Sequence, residues 1–137
     1  MIVLADTCVW SLALRRTKIA SNPGEQKTVR ALEELIGEGR VQLLGVVRQE
    51  LLSGIRHKAQ FDRLAAALCG FEDVVLSVDD YEEAAAADNR CRSAGLAGST
   101  TDFLICAVAM RREWGIFTTD RDFEQFAEVL PINVIEI

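Results

Sequence analysis

Histidine is nearly absent from this sequence, and its cysteines lie far apart. His57 is the single histidine among 137 residues. A Ser-His-Asp triad and a histidine-rich metal site are therefore both disfavoured. The cysteines form no C-x-x-C pair, which disfavours a zinc site and thioredoxin-like redox chemistry. We expect free, mostly buried thiols, and any metal ion would have to be held by oxygen. The cysteines are Cys8, Cys69, Cys91 and Cys106.

Long apolar segments are also missing. No uncharged apolar run approaches the roughly 18 to 20 residues that span a bilayer, and the run at residues 103–110 is too short. The chain begins with MIVLAD, which places the carboxylate of Asp6 where a signal peptide would still be apolar, with no basic segment before it. We therefore expect a cytoplasmic protein with no membrane partner.

The sequence has no excess of positive charge, which proteins that coat nucleic acids need. The formal net charge is −6 at pH 7. This does not exclude a nuclease, because carboxylates gathered around a metal count negatively while local cations still contact phosphate. The alternative is that the cations form a solvated face. Candidate phosphate contacts flank the first two strand–helix units and are Arg15, Arg16, Arg48, Arg56 and Lys58, with Arg111 and Arg112 as further positive surface.

Half of the residues are apolar, and this length suits one domain, residues 1–137, around a single core. Short apolar runs predict strands at residues 2–5, 41–44, 74–76, 116–119 and 134–137. Helical periodicity predicts helices at residues 7–14, 25–38, 46–54, 58–68, 81–93, 102–114 and 122–129, with Gly115 ending the sixth. This alternation predicts an α/β fold, with a mostly parallel central sheet of about five short strands flanked by helices.

Four acidic residues converge on one edge of this predicted sheet. Asp6 and Asp120 directly follow strands, and Asp102 lies in the first turn of a helix. In a parallel sheet, the carboxyl ends of the strands and the N-termini of the following helices share an edge. Glu50 lies in the helix after the second strand, on a face that should lean inward. Taken singly, each acid could be a helix cap, a charge at a helix dipole or a solvated side chain.

Taken together, the four acids indicate a metal site. Gathering several carboxylates costs free energy unless cations compensate their charge. Ligation by oxygen alone suits Mg²⁺ or Mn²⁺ and disfavours zinc. Such a site most directly serves phosphodiester hydrolysis, in which the metal activates water and stabilises the leaving oxygen. Asp6, Glu50, Asp102 and Asp120 are therefore the predicted metal ligands and catalytic residues.

Four fragments, in this order, resemble the PIN domain and, within it, the small VapC toxins of toxin–antitoxin pairs. They are VLADTCVW at residues 3–10, VRQELLSG at 47–54, TDFLICAVA at 101–109 and TTDRDF at 118–123. The resemblance covers essentially the whole chain. One departure concerns the helix that carries Glu50, where Val46 or Val47 replaces the usual hydroxyl residue at the start and leaves the helix cap in question.

The resemblance implies a role for each matching residue. Asp6, Glu50 and Asp102 match three acidic metal-site positions, Asp120 matches a fourth with a more variable role, and Thr7 matches the small hydroxyl residue beside the first acid, a candidate substrate contact. The family also implies Mg²⁺ or Mn²⁺ dependence, endoribonuclease activity on RNA, a homodimer, and inhibition by a cognate VapB antitoxin whose tail covers the site.

Several alternatives accompany this interpretation. A receiver-like signalling domain also uses acids at a sheet edge, but it would need a lysine near the last strands, and Lys18, Lys27 and Lys58 all precede that region. The GLAG segment at residues 95–98 is neither a dinucleotide fingerprint nor a P-loop. A PIN-fold nuclease that acts on other RNA or on DNA, outside a toxin–antitoxin pair, stays open. Asp122 could touch metal or simply cap the helix after Asp120.

Two apolar helix stripes bear on the expected homodimer. They lie at residues 31–36 and 61–68, and either could supply an exposed patch for association. The alternative, that both stripes face the core, also stays open.

Overall fold

The structure, a computed structural model, describes residues 1–14 and 22–137. Arg15 and Arg16, two predicted phosphate contacts, lie outside the described residues. None of the described helices is long and apolar enough to cross a membrane. The elements are β1 (Val3–Ala5), α1 (Thr7–Leu14), α2 (Pro23–Gly37), β2 (Val41–Gln42), α3 (Gly45–Leu52), α4 (Lys58–Leu68), α5 (Val78–Ser93), α6 (Thr100–Arg112), β3 (Gly115–Phe117), α7 (Asp122–Val129) and β4 (Asn133–Val134).

The described strands form one parallel sheet with the order β2-β1-β3-β4. β1 and β3 are its central strands, and Ala5 pairs with Phe117 at their carboxyl ends. Both strands are buried along their whole length, as expected for parallel strands covered by helices. The predicted α/β fold with a mostly parallel sheet is therefore confirmed, and the residues that follow β1 and β3 meet at one edge.

The strand predicted at residues 74–76 is not formed. One parallel bridge joins Leu43 to Asp73, and the N–H of Val74 donates to the carbonyl of Leu43 at 3.3 Å. Val75 is already 86% exposed, so the chain leaves the sheet at once. The neighbouring β2 has only two residues and offers little ladder to extend. The sheet therefore has four strands in the described part of the chain instead of about five.

α6 is a buried central helix. Its residues from Phe103 to Ala109 are all buried, which matches a helix that is apolar almost all round. The helix ends at Glu113, whose backbone is left-handed with φ of 57°, and the prediction that Gly115 ends it was wrong. Gly115 begins β3, where a Cβ atom would lie 2.8 Å from Cγ2 of Ile135. Close packing of neighbouring chain segments, and not helix termination, therefore requires this glycine.

The two apolar stripes differ in how far they are buried. In α2, Leu32 and Leu35 are buried, so the stripe at residues 31–36 faces the core. In α4, Leu68 is the one buried residue, and Phe61 is 39% exposed. α4 therefore keeps apolar surface that the described chain does not cover.

The cysteines are free thiols, as predicted, but they are not uniformly buried. Cys91 and Cys106 are buried, and burial raises the pKa of both thiols. Cys8 is partly exposed, and Cys69 is exposed just after α4. The expectation of burial was wrong for Cys69, because the last turn of α4 turns only Leu68 toward the core.

A buried ion network joins the start of α5 to the end of α6. Asp80 is fully buried and accepts hydrogen bonds from Arg111 at 2.6 Å and from Arg112 at 2.8 Å. It also accepts the backbone N–H of Ser77 at 2.8 Å, which completes a capping box. The hydrogen bond from Arg112 is the largest influence on the pKa of Asp80, and with Ser77 and Arg111 it holds that pKa well below its ordinary range despite burial. The two arginines thus neutralise Asp80 instead of adding free positive surface.

The Asp80 network gives a stability prediction. Asp80→Asn should lower the free energy of unfolding by about 3 kcal/mol, because it leaves two guanidinium groups without their buried partner. Chemical denaturation at pH 7 measures this loss. The matched control is Asp79→Asn: Asp79 is 77% exposed and 3.7 Å from Arg111, so its loss should cost less than about 1 kcal/mol.

The same network fixes the sign of a pH dependence. Folding lowers the pKa of Asp80, so its contribution is fully present above the ordinary aspartate pKa and is lost as the pH falls through the folded-state value. The stabilities of the wild type and Asp80→Asn should therefore converge in acid. Equal losses in Asp79→Asn and Asp80→Asn at pH 7 would contradict this account.

Candidate active site

β1 delivers Asp6 to the edge of the sheet. Its backbone N–H extends the pairing with β3 by donating to the carbonyl of Phe117 at 2.9 Å. The side chain is only 6% exposed, yet three groups donate to its carboxylate: the N–H of Thr7 at 2.7 Å, the hydroxyl of Thr118 at 2.9 Å and the thiol of Cys8 at 3.5 Å. Asp6 is therefore held in one position by contacts from both central strand ends.

The electrostatics at Asp6 leave its charge incompletely compensated. Burial raises the pKa of Asp6, and the negative charge of Asp120 adds to this effect. The hydrogen bonds from Thr118, Thr7 and Cys8 act in the opposite direction, but burial prevails. The ionised carboxylate would therefore be stabilised by a nearby cation.

α6 presents Asp102 through a reciprocal cap. The carboxylate atom Oδ2 accepts the N–H of Ser99 at 2.9 Å, and the Ser99 hydroxyl oxygen accepts the N–H of Asp102 at 3.1 Å. This is a capping box, and it leaves Oδ1 with no hydrogen bond in the described part of the chain. Gly98 precedes the cap, and a Cβ there would lie 2.8 Å from Cζ of Phe126. The absence of a side chain lets the start of α6 pack closely against α7.

Asp120 follows β3 and begins the turn into α7. Its N–H donates to the Thr118 hydroxyl oxygen at 3.0 Å, and its Oδ1 accepts the N–H of Asp122 at 2.9 Å. Asp120 therefore caps the first turn of α7, while its Oδ2 has no hydrogen bond in the described residues. Asp122 is exposed and is the first residue of α7.

Three aspartates form one cluster at this edge: Asp6, Asp102 and Asp120 each contribute a carboxylate oxygen, and these oxygens lie within 4.8 Å of one another. Burial raises the pKa of Asp102, and the charges of Asp6 and Asp120 add to it against the hydrogen bonds from Ser99. Among the salt bridges of the described chain, none involves these three carboxylates.

This cluster fits a hard divalent cation. Opposite oxygen ligands of octahedral Mg²⁺ lie about 4.2 Å apart, because each Mg–O distance is about 2.1 Å. Adjacent ligands lie about 3.0 Å apart, so the three carboxylates, whose oxygens lie within 4.8 Å of one another, would have to move closer together to share one ion. The donor set consists of oxygen atoms, which suits Mg²⁺ or Mn²⁺ and not a thiolate zinc site. Asp122 and Glu50 do not belong to this close group.

Glu50 lies in α3, but its side chain is exposed, so the expectation of an inward face was wrong. Val47 and Leu51 take the buried positions of this helix. At about 100° per residue, Leu51 lies about 40° from Val47 around the helix, and Glu50 lies about 60° away on the other side. That rotation is enough to reach solvent, and a ligand role for Glu50 stays a prediction. The sequence leaves the cap of this helix in question at Val46 or Val47; the helix begins at Gly45, and its N-cap Leu44 makes no side-chain cap hydrogen bond.

Thr7 and Arg48, two predicted substrate contacts, differ in how the structure uses their side chains. The Thr7 hydroxyl is buried without a hydrogen-bond partner in the described residues. The Arg48 guanidinium donates to Asp73 at 3.0 Å and to the carbonyls of Leu68 at 3.0 Å and Phe71 at 2.6 Å. These bonds tie the connection after α4 to α3. A phosphate contact by Arg48 stays a prediction and would compete with the bonds already formed.

The remaining cations divide into paired and unpaired groups. Lys58 donates to Asp62 at 2.8 Å, which leaves less of its charge for phosphate. Arg56 is exposed and forms no salt bridge within the described chain. Arg121 has the same properties and directly follows Asp120. Sequence reasoning overlooked Arg121, although its adjacency to a predicted site residue was a usable signal.

Thr118 is the main site residue that sequence reasoning missed. Its hydroxyl donates to Asp6 and accepts from the N–H of Asp120, so it connects two of the three acids. The signal available was its position two residues before Asp120, in the TTD sequence. Thr119 and Cys8 form a further contact at 3.2 Å, with the hydroxyl donating to the sulfur.

Residues 3–129 match the family description of the PIN domain. The chain belongs to the PIN domain family. The match includes the three clustered aspartates and Glu50, and it confirms the resemblance inferred from the four sequence fragments. PIN domains are nucleases, so the activity class of this PIN domain is phosphodiester hydrolysis.

Solved toxin–antitoxin structures have a similar fold to this PIN domain. FitAcB from Neisseria gonorrhoeae gives a TM-score of 0.76 at 21% identity, covering 98% of this chain and 97% of that chain. The structure of VapBC2 from Rickettsia felis bound to a DNA fragment from their promoter gives a TM-score of 0.75 at 18% identity, covering 98% of this chain and 98% of that chain. VapBC-5 from Mycobacterium tuberculosis gives 0.67 at 19% identity and covers 100% of both. Comparison with curated proteins finds no match.

The Thr118 bridge gives a prediction for metal binding. Thr118→Val should weaken Mn²⁺ binding about tenfold, because groups that orient metal ligands typically contribute that much to affinity. Isothermal titration calorimetry measures the change. Thr119→Val is the matched control, since that hydroxyl donates to the sulfur of Cys8 and to none of the clustered carboxylates. Equal weakening by both substitutions would show that Thr118 has no special role in orienting the cluster.

Proposed function

We propose that this PIN domain is a metal-dependent endoribonuclease of the VapC toxin type, which hydrolyses RNA phosphodiester bonds. The observation that carries the proposal is the convergence of Asp6, Asp102 and Asp120 with no cationic partner in the described chain. Burial and mutual repulsion raise the pKa of Asp6 and Asp102. A divalent cation, Mg²⁺ or Mn²⁺, supplies the counter-charge that this arrangement requires.

The chain prepares each aspartate for that ion differently. Three donors hold Asp6 in place, while Asp102 and Asp120 each use one oxygen in a helix cap and keep the other free of hydrogen bonds in the described residues. When bound, the ion would activate the attacking water and stabilise charge on the phosphate and leaving oxygen. Glu50 completes the proposed ligand set from α3. His57 precedes α4 and takes no part in the hydrogen bonds of the cluster.

A VapB-type antitoxin and a second copy of the chain are the proposed partners, with the cytoplasm as the location. The structures of similar fold include VapBC and FitAB assemblies, which supports the antitoxin. The exposed apolar surface of α4, including Phe61, offers area for association. A ribonuclease active in its own cell must be held inactive, and a partner segment that covers the cluster would do so.

The catalytic proposal predicts a specific pattern of RNA cleavage. Purified protein should cleave single-stranded RNA in Mg²⁺ or Mn²⁺, and excess EDTA should abolish cleavage. Asp102→Asn should lower kcat by at least about 100-fold, because it removes a proposed metal ligand. Its melting temperature without metal should be equal or higher, because one of several like charges is gone and the amide oxygen still accepts from Ser99.

Gel assays with RNA and with DNA of the same sequence measure this and separate the two substrates. Asp6→Asn and Glu50→Gln should lose most activity, and Asp120→Asn should be at least as mild as these. Full activity in excess chelator would refute the metal mechanism. A clear drop in the apo melting temperature of Asp102→Asn would make Asp102 a structural residue instead.

The partner proposal predicts both a mass and a growth effect. Light scattering at micromolar concentration should give the mass of a dimer, and a monomer mass would contradict it. Expression of the chain alone should slow growth relative to the Asp102→Asn variant, because no inhibitor is supplied. Normal growth, with a purified product that cleaves RNA, would remove the need for an antitoxin.

A further inference from the structure

An open groove of about 480 Å³ lies beside the acid cluster, between α1 and the start of α2. Its volume falls in the range of sites that bind small organic groups. The cluster and the groove are separate features, since none of the three aspartates lines the groove. Its described lining comes from α1, the start of α2 and the loop after β3; the side chains that matter are Cys8, Ser11, Leu12, Asn22, Glu25 and Thr119.

Cys8 connects the groove directly to the cluster, and Thr119 does so through Cys8. The Cys8 thiol donates to Asp6 at 3.5 Å and accepts the Thr119 hydroxyl at 3.2 Å. Thr119 also directly precedes Asp120 in sequence. An RNA whose phosphate lies at the aspartates would therefore have an adjacent nucleoside at the mouth of this groove.

The groove suits a nucleobase better than a phosphate. The described residues that line it include no Lys or Arg, and they include the carboxylate of Glu25. A phosphate would be repelled there, because phosphate contacts in nucleic-acid complexes come mainly from cations and N–H donors. Leu12 offers apolar contact, while Ser11 and Thr119 offer hydroxyl groups. Unpaired RNA bases are recognised by this mixture of apolar contact and edge hydrogen bonds.

Glu25 is the charged group among the described residues that line the groove. Its backbone N–H is satisfied by the Asn22 side chain at 2.8 Å, while its partly exposed carboxylate forms no hydrogen bond or salt bridge in the described chain. An ionised carboxylate only accepts hydrogen bonds. Thr28, across the first turn, already donates its hydroxyl to the carbonyl of Gly24 at 3.1 Å. Glu25 therefore stands as a free acceptor in a groove whose described lining residues include no Lys or Arg.

The base edges differ in how well they match such an acceptor. Guanine presents an imino N–H beside an amino group, so one carboxylate can accept from both. Cytosine and adenine each present an amino group, and carboxylates accept from such groups in known complexes. Uracil places a carbonyl oxygen on each side of its single N–H. These two partially negative oxygens would be repelled by the carboxylate.

We propose that this groove binds one unpaired nucleobase of the RNA, next to the phosphate at the acid cluster, and that Glu25 selects guanine most strongly and uracil least. The inference rests on the proposed ribonuclease function and adds a base preference to it. The preference belongs to one position beside the cut, because Cys8 lines the groove and also donates to Asp6 of the cluster.

Cleavage of a randomised single-stranded RNA pool, with sequencing of the product ends, tests the proposal. The wild type should favour guanine over uracil by at least about fivefold at one position beside the cut, the discrimination typical of a good base-edge contact. Glu25→Gln should reduce this ratio toward one, because the amide also donates and can pair with the carbonyls of uracil. The matched control is Glu33→Gln, which makes the same charge change at an exposed position further along α2 and should keep the wild-type preference.

A second substitution tests occupancy of the groove. Ser11→Leu places a larger side chain in it and should lower kcat/KM about tenfold, as expected when a substrate group loses its pocket, while leaving Mn²⁺ binding unchanged. Binding of labelled RNA pentamers to Asp102→Asn repeats the base comparison without cleavage.

The possible results distinguish a failure of the base preference from a failure of the proposed ribonuclease function. Metal-dependent cleavage with the same base preference in wild type and Glu25→Gln would overturn the inference and leave the ribonuclease function standing. Unchanged cleavage by both Glu25→Gln and Ser11→Leu would show that the groove does not bind the RNA and would also overturn the inference. No RNA cleavage by the wild type, with no base preference in the binding assay, would overturn both.

Discussion

The pairing of β1 with β3 is the contact on which the site depends. It places Ala5 opposite Phe117, and the bond from the Asp6 N–H to the Phe117 carbonyl extends it by one residue. Asp6 and Thr118 consequently lie side by side, close enough for the hydroxyl to reach the carboxylate. Two segments more than a hundred residues apart in sequence therefore share one hydrogen-bond network, and a shift of register by one residue would turn Asp6 to the other face of the sheet.

The same polar groups serve both the fold and the acid cluster. Ser99 caps α6 and holds one oxygen of Asp102, while Asp120 caps α7 and receives its own support from Thr118. Each aspartate is therefore fixed by secondary structure that would form without a metal. The three carboxylates repel one another, and the helix caps and strand pairing hold them together despite this repulsion. This is consistent with a site that is organised before a cation binds.

The distribution of positive charge supports that reading of the site. Arg111 and Arg112 neutralise Asp80 on the other end of α6, and Arg48 ties down the connection that follows α4. Several cations that the composition offers for RNA binding are thus used in the fold. In the proposed function, a metal ion supplies much of the positive charge that the substrate phosphate meets. The groove beside it, whose described lining residues include Glu25 and no Lys or Arg, is left for a base.

The sequence by itself determined the features that depend on local order. An apolar run that ends in a carboxylate placed Asp6 at a strand end, and the alternation of strand and helix periods predicted the parallel α/β fold. Only the tertiary structure decided the others. Glu50 lies about 60° around α3 from the buried Val47, and this offset exposes its side chain. The short β2 left residues 74–76 outside the sheet. The partners of Arg48 and the groove between α1 and α2 likewise depend on which elements approach each other. Packing sets the distances between segments that are remote in sequence, and local periodicity does not encode them.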